Sequence, residues 1–285
     1  MALLQSIIDG LLLGGVYGVI ATGLSLVFGV LGIVNFAQAQ FLMLGMYAVW
    51  FTWSIFEIDP ILGSPLAFII IFFVGYVIQK FFIHHIMKAP AAAQIFLTVG
   101  LMVVLENMAL MVFGSDFRSV AVTYQTESIH LGEIFISKSY LYAFLAALVI
   151  TGLLWTLLAT SWIGRAIRAV AQDAMMAELV GVNATTTYNI AFGLGVGLTA
   201  FGGAVILPYI SVSPTIGSHF SVLMFTVVVL GGLGSVAGAL AGGIVVGVIQ
   251  SLSSLVFPIH LQNLILFIIF IAVLVVRPNG LLKEG

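Results

Sequence analysis

Residues Gln5 to Leu31 read QSIIDGLLLGGVYGVIATGLSLVFGVL, and Asp9 is the only charge among them. A bilayer-spanning helix takes about 20 mostly apolar residues, so this stretch has the length and composition to cross a membrane. Met1 to Ile8 lacks the basic start of a cleavable signal, which predicts a retained span. Comparable apolar stretches run from Ile33 to Phe56, Leu62 to Ile83, Ala92 to Phe113, Tyr140 to Ala159, Thr187 to Ile206, Ser221 to Phe257 and Leu261 to Val276. Backbone amides in hydrocarbon must be paired within the chain, which leaves helices or a closed barrel. Continuous apolarity, without the alternation of barrel strands, selects helices. The whole chain agrees: 62% of its 285 residues are hydrophobic and 6% charged, against roughly 25% charged in soluble domains. The expectation is an all-α, polytopic membrane helix bundle forming a single domain over residues 1–285, with about eight to nine transmembrane segments, some broken or short.

The few charges set the orientation, because basic residues collect on the cytoplasmic side. Lys80 and Lys88 flank one loop, Arg165 and Arg168 lie in a second, and Arg277 and Lys283 end the chain. The opposite loops carry Glu57, Asp59, Asp116, Glu127 and Glu133 against only Arg118 and Lys138. Counting crossings then puts the N-terminus outside. The C-terminus falls inside if Ser221 to Phe257 makes two crossings, interrupted at Gly231-Gly232-Leu233-Gly234-Ser235. A re-entrant element there would break the parity.

Several function classes drop out. With no cysteine there is no thiol nucleophile or Cys-ligated metal. No Lys/Arg run suits nucleic acid, no Ser/His/Asp constellation is legible, and adjacent His84 and His85 point about 100° apart on a helix. No GxxxxGK[ST] phosphate loop occurs, so the chain is not expected to hydrolyse ATP. Gly10, Gly14 and Gly18 form a ladder at spacing four, as do Gly234, Gly238 and Gly242, with Gly243 and Gly247 beside the latter. Helices in lipid associate by close backbone approach across small residues, so these spans should pack face to face.

Polar groups inside the apolar stretches are the candidate path. Glu106, beside Asn107, lies well inside a span, where a carboxylate either lines or gates a path or is a packing residue, protonated or held by hydrogen bonds. Asn35, Gln38 and Gln40 open the second span; Asn35 and Gln38 share a helical face and suit either a polar passage or bonding between helices. Pro208, Ser211, Ser213, Pro214 and Thr215 mark an irregular external loop, either the mouth of a path or a plain connector. On the cytoplasmic side, Gly164 to Gly181 reads as an Arg-bearing turn followed by a short helix. Asp173 is its N-cap and Gly181 stands at its C′ position. Its Met175, Met176, Leu179 and Val180 would be exposed unless covered, which suits docking into another subunit or lying on lipid.

These stretches resemble a known family, the permease subunits of ATP-binding-cassette importers for branched-chain amino acids, in the LivH-like branch. The resemblance rests on Gly23 to Gly29, Asn35-Phe36-Ala37 and Leu44 to Tyr47, on Gly164 to Gly181 with its Arg-Ala-Val-Ala-Gln-Asp core, on Ser213 to Gly217, on Leu230 to Ala239, and on Arg277 to Leu281. It departs at Gln38, Ala39 and Gln40, where family members commonly carry His, Gly and an acidic residue. The resemblance implies a single transmembrane permease domain in the bacterial inner (plasma) membrane, multi-pass, with a cytoplasmic C-terminus. Its partners would be a homologous second permease, two ATPase subunits, a periplasmic substrate-binding protein and membrane lipid. ATP would be used by the partner subunits, with no cofactor on this chain. Coupling would fall to Gly164, Arg165, Arg168, Asp173, Met175, Glu178 and Gly181, and the translocation path to Asn35, Gln38, Gln40, Glu106 and Asn107. Two readings compete with an amino-acid cargo. One is a urea, amide or sugar permease of the same superfamily; the other is a stand-alone ion-coupled secondary transporter using Glu106 as its ion site.

Overall fold

The computed structural model describes residues 2–132, 134–276 and 280. Glu133, Arg277, Pro278, Asn279, Leu281 and Lys283, all used in the sequence reading, lie outside the described residues. The helices run α1 (Ala2–Leu31), α2 (Gln38–Phe56), and α3 (Pro60–Ile78), which continues through a π-helical turn at Gln79–Ile83 into α4 (His84–Ile86). They go on with α5 (Ala91–Phe113), α6 (Lys138–Thr160), α7 (Trp162–Gln172), α8 (Ala174–Leu179), α9 (Ala184–Ile206), α10 (Ile216–Gly231), α11 (Val236–Val256) and α12 (Ile259–Val276). Seven of the described helical segments are long and apolar enough to cross a membrane, and α10 is a shorter apolar helix. With α12, these make nine apolar helices among the described residues. One element was not foreseen: an antiparallel hairpin of β1 (Ser128–Leu131) and β2 (Ile134–Ser137) between α5 and α6.

The expected break inside Ser221 to Phe257 is present. Gly232 and Gly234 take φ values of 103° and 84°, a region that side-chain-bearing residues avoid. Ser235 then caps α11, its hydroxyl accepting from the Gly238 amide at 3.0 Å. The two glycine ladders serve as packing surfaces. A Cβ at Gly14 would lie 2.7 Å from the Ile244 Cα and one at Gly10 2.6 Å from the Val248 Cα, while Gly243 and Gly247 face Gly18 and Gly14. Gly238 and Gly242 press instead on Gly231 and Val227 of α10. Helix α11 therefore has two small faces, one for α1 and one for α10. At the centre, every residue of α9 from Ala191 to Ile206 is buried, as expected of a helix that is apolar on all sides.

Contacts along the helices define two ends. Phe68 and Phe72 of α3 meet Gly197 and Gly193 of α9, and Gly29 of α1 meets Gly234. The end of α1, the α4–α5 turn, the α7–α8 unit and the Gly232 turn thus share one end of the bundle. Lys80, Lys88, Arg165 and Arg168 all belong to that end.

Two connections are not surface loops. Residues 32–37 turn back into the bundle: Ile33, Asn35 and Ala37 are buried, and the Thr98 hydroxyl of α5 faces the Val34 carbonyl at 3.4 Å. From the other end, the segment after α9 is also buried at Leu207, Val212 and Ser213, and Val212 exchanges two backbone hydrogen bonds with Arg118. The segment expected as an external loop is therefore packed into the protein, meeting Arg118 of the expected outer side and descending to Glu106 where α10 begins. Irregular backbone at membrane depth persists only where protein or a water-lined cavity supplies its partners, and here the protein supplies them. As a result α10 begins level with Glu106, seven residues or about 10 Å short of the Phe113 end of α5.

Candidate functional site

Each inward-turning segment carries a polar cluster. In the first, Asn35 Nδ2 donates to Gln38 Oε1 at 2.9 Å and Asn35 Oδ1 accepts from the Ala37 amide at 3.1 Å. Gln38 Nε2 donates to Thr199 Oγ1 at 2.8 Å and to the Gly195 carbonyl at 3.2 Å. The Thr199 hydroxyl in turn faces the Ile20 carbonyl at 3.1 Å. Asn35, Gln38 and Thr199 are at most 1% exposed. This cluster ties the start of α2 to α1 and α9, and Gly23 permits it, since a Cβ there would collide with Gly195 and Thr199.

The second cluster joins α2, α5 and α10. Gln40 Nε2 and Ser218 Oγ both donate to Glu106 Oε2, each at 3.0 Å. Gln40 is buried, Glu106 is half-buried, and Ser218 and His219 are exposed. Gln40 Oε1 is buried without a partner among the described residues, held against Gly217, where a Cβ would overlap it and sit 2.9 Å from the Ala39 carbonyl. Phe36 and Phe225 have ring centroids 5.3 Å apart, so α2 and α10 run antiparallel here, N-terminus to N-terminus. The positive ends of two helix dipoles thus meet beside one carboxylate.

Of the five predicted path residues, the structure places Asn35 and Gln38 in the first cluster and Gln40 and Glu106 in the second. Asn107 joins neither: it is exposed, and its Nδ2 donates to the Val103 carbonyl at 2.8 Å. Asn107, Ser218 and His219 expose polar atoms at membrane depth, and such groups face water or another protein rather than acyl chains. Sequence reasoning missed Thr199 and Ser218. Thr199 was concealed by the glycine-rich run around it, and Ser218 follows a stretch read as an external loop.

The 164–181 segment differs in one respect from its expected form. Arg165 and Arg168 stand on a helix, α7, not on a turn. Ser161 caps that helix by accepting from the Gly164 amide at 2.9 Å, and Ile167 and Val170 bury its inner face. Arg165 donates to the Thr160 carbonyl at 2.9 Å and Arg168 to the Leu158 carbonyl. The short second helix is as expected. Asp173 Oδ1 accepts from the Met176 amide at 3.0 Å, and Gly181 follows with φ 89°. Met175, Met176, Leu179 and Val180 are each 59–78% exposed.

Comparison with known proteins places these features in context. A family model described as "Branched-chain amino acid transport system / permease component" matches residues 6–274. The high-affinity branched-chain amino acid transport system permease protein BraD of Pseudomonas aeruginosa is 27% identical over 98% of this chain and 95% of its own length. The corresponding LivH protein of Salmonella typhimurium is 29% identical over the same shares. The fructose import permease protein FrcC of Rhizobium meliloti is 35% identical over 38% of this chain and 32% of its own. No solved structure matches.

Proposed function

The chain belongs to the family of permease components of branched-chain amino acid transport systems, and on that premise we propose that it forms half of the passage of an ATP-binding-cassette importer. The cargo is a branched-chain or related amino acid, handed over by a periplasmic binding protein. A homologous second permease covers the polar edge of α5 and α10, so that Asn107, Ser218 and His219 face a shared path. Two ATPase subunits dock at the basic end, which lies in the cytoplasm with the C-terminus, and they hydrolyse the ATP. In this arrangement Gln40 and Glu106 line the path, while Asn35 and Gln38 hold its wall.

The observation that carries the proposal is α8, a capped helix of six residues projecting an apolar knob at the basic end. Behind it, α7 fixes its base through Ile167 and Val170, so a push on α8 is delivered to α9 and α1 rather than absorbed by a loose loop. Gly164, Arg165 and Arg168 hold α7, and Asp173, Met175, Glu178 and Gly181 shape the docking end. Co-purification with the partner subunits, followed by uptake from a mixed amino-acid pool with and without ATP, tests the reading. Replacing Asp173 and Glu178 with Lys is expected to lower ATP-driven uptake at normal expression; unchanged uptake would remove the docking role. The partial similarity to a fructose import permease favours a sugar as the second reading, which a ligand screen on the partner binding protein separates.

A further inference from the structure

Among the described residues, no cationic side chain pairs with Glu106. Both donors it receives, Gln40 Nε2 and Ser218 Oγ, are neutral and reach the same oxygen, Oε2. Its Oε1 makes no hydrogen bond among the described residues. Among the described residues, the Lys and Arg side chains lie towards the two ends of the bundle, and Lys138 and Glu127 form the one ion pair. The N-terminal ends of α2 and α10 bring partial positive charge beside it but no whole cation. Glu106 is half-buried and stands beside the exposed Ser218 and His219. A carboxylate at this depth is expensive unless paired.

A second observation concerns position. Gln40 and Glu106 stand on neighbouring helices within a hydrogen bond of each other. Packing alone would have been served by two carboxamides. What a Gln–Gln pair would lack is the negative charge.

We infer that Glu106 is the counter-charge for the ammonium group of the cargo, so that the passage itself favours amino acids over neutral solutes such as urea, amides and sugars. The inference rests on the importer reading proposed above. Its test uses the whole importer in proteoliposomes with its binding protein, radiolabelled leucine as probe, and Glu106→Gln, Gln40→Glu and the double variant. Glu106→Gln keeps an acceptor for both donors and removes only the charge. Leucine uptake is expected to fall about tenfold or more, the scale of one charged hydrogen bond, with assembly and ATP hydrolysis retained. The double variant, with the carboxylate transposed to position 40, is expected to recover most of the uptake.

Wild-type uptake by Glu106→Gln, or a double variant no better than it, would overturn the role of Glu106 while ATP-driven leucine uptake by the wild type left the importer reading standing. If Glu106→Gln does not assemble, the double variant decides: uptake supports the role, and assembly without uptake overturns it. A wild-type importer that moves urea and no leucine would overturn both.

Discussion

Asn35 and Gln38 lie in a cluster that is neutral, buried and internally bonded, whereas Gln40 and Glu106, a turn or less further along, lie in one that is charged and half-open. Both stand where the chain turns into the bundle and a helix starts within the membrane. The first uses its donors and acceptors on the protein's own backbone and on Thr199. The second leaves, among the described residues, one carboxylate oxygen without a hydrogen bond and the buried Gln40 Oε1 without a partner. Saturated polar networks hold helices together; unsaturated ones at a polar edge are where a passing solute finds partners.

The contrast breaks most readily at Gln38. Gln38→Leu strands Asn35 Nδ2 in a dry interior, an unsatisfied group costing about 1–3 kcal/mol, and takes a donor from Thr199 Oγ1, which keeps its own bond to the Ile20 carbonyl. A clear fall in the unfolding midpoint of the detergent-solubilised protein is expected. Glu106→Gln should leave that midpoint nearly unchanged while lowering uptake; the opposite pattern would mean that the two clusters have exchanged roles.

Gly217→Ala gives a smaller and different effect. Its new methyl overlaps Gln40 Oε1 and approaches the Ala39 carbonyl, so α10 must separate from α2 or Gln40 must turn from Glu106. Overpacking of this kind costs about 1–3 kcal/mol, and uptake should fall more than thermal stability does. Equal losses in both would make the second cluster as structural as the first. The least effect is expected at Thr98→Val, which removes a long 3.4 Å contact to the Val34 carbonyl while that hydroxyl also faces Ile95. A shift below about 1 kcal/mol in chemical denaturation would show that the first segment is held by Asn35 and Gln38 rather than by α5.

Much of this molecule could be read from residue order. Helical spans, the break at Gly231 to Ser235, the glycine seams and the Asp173-capped helix all depend on local patterns: apolar runs, spacing of four, a cap and a turn residue. The site was half legible. Glu106 and Gln40 stood out singly as polar residues in apolar surroundings, but nothing in their separation of 66 positions predicted that they would share a hydrogen bond. Ser218 was hidden because Pro214 and Gly217 resemble an external loop, while tertiary packing draws that segment inside.

Alone, then, the amino-acid sequence determined that the chain fills a membrane, which loops carry the basic charge and where a short capped helix with exposed apolar residues stands. Those properties follow from composition and from contacts within a few residues. Tertiary structure decided which polar groups are spent on one another and which face outward. Only the meeting of α2, α5 and α10 brings two helix N-termini beside one carboxylate, and that meeting depends on shape and close backbone approach over long sequence separations.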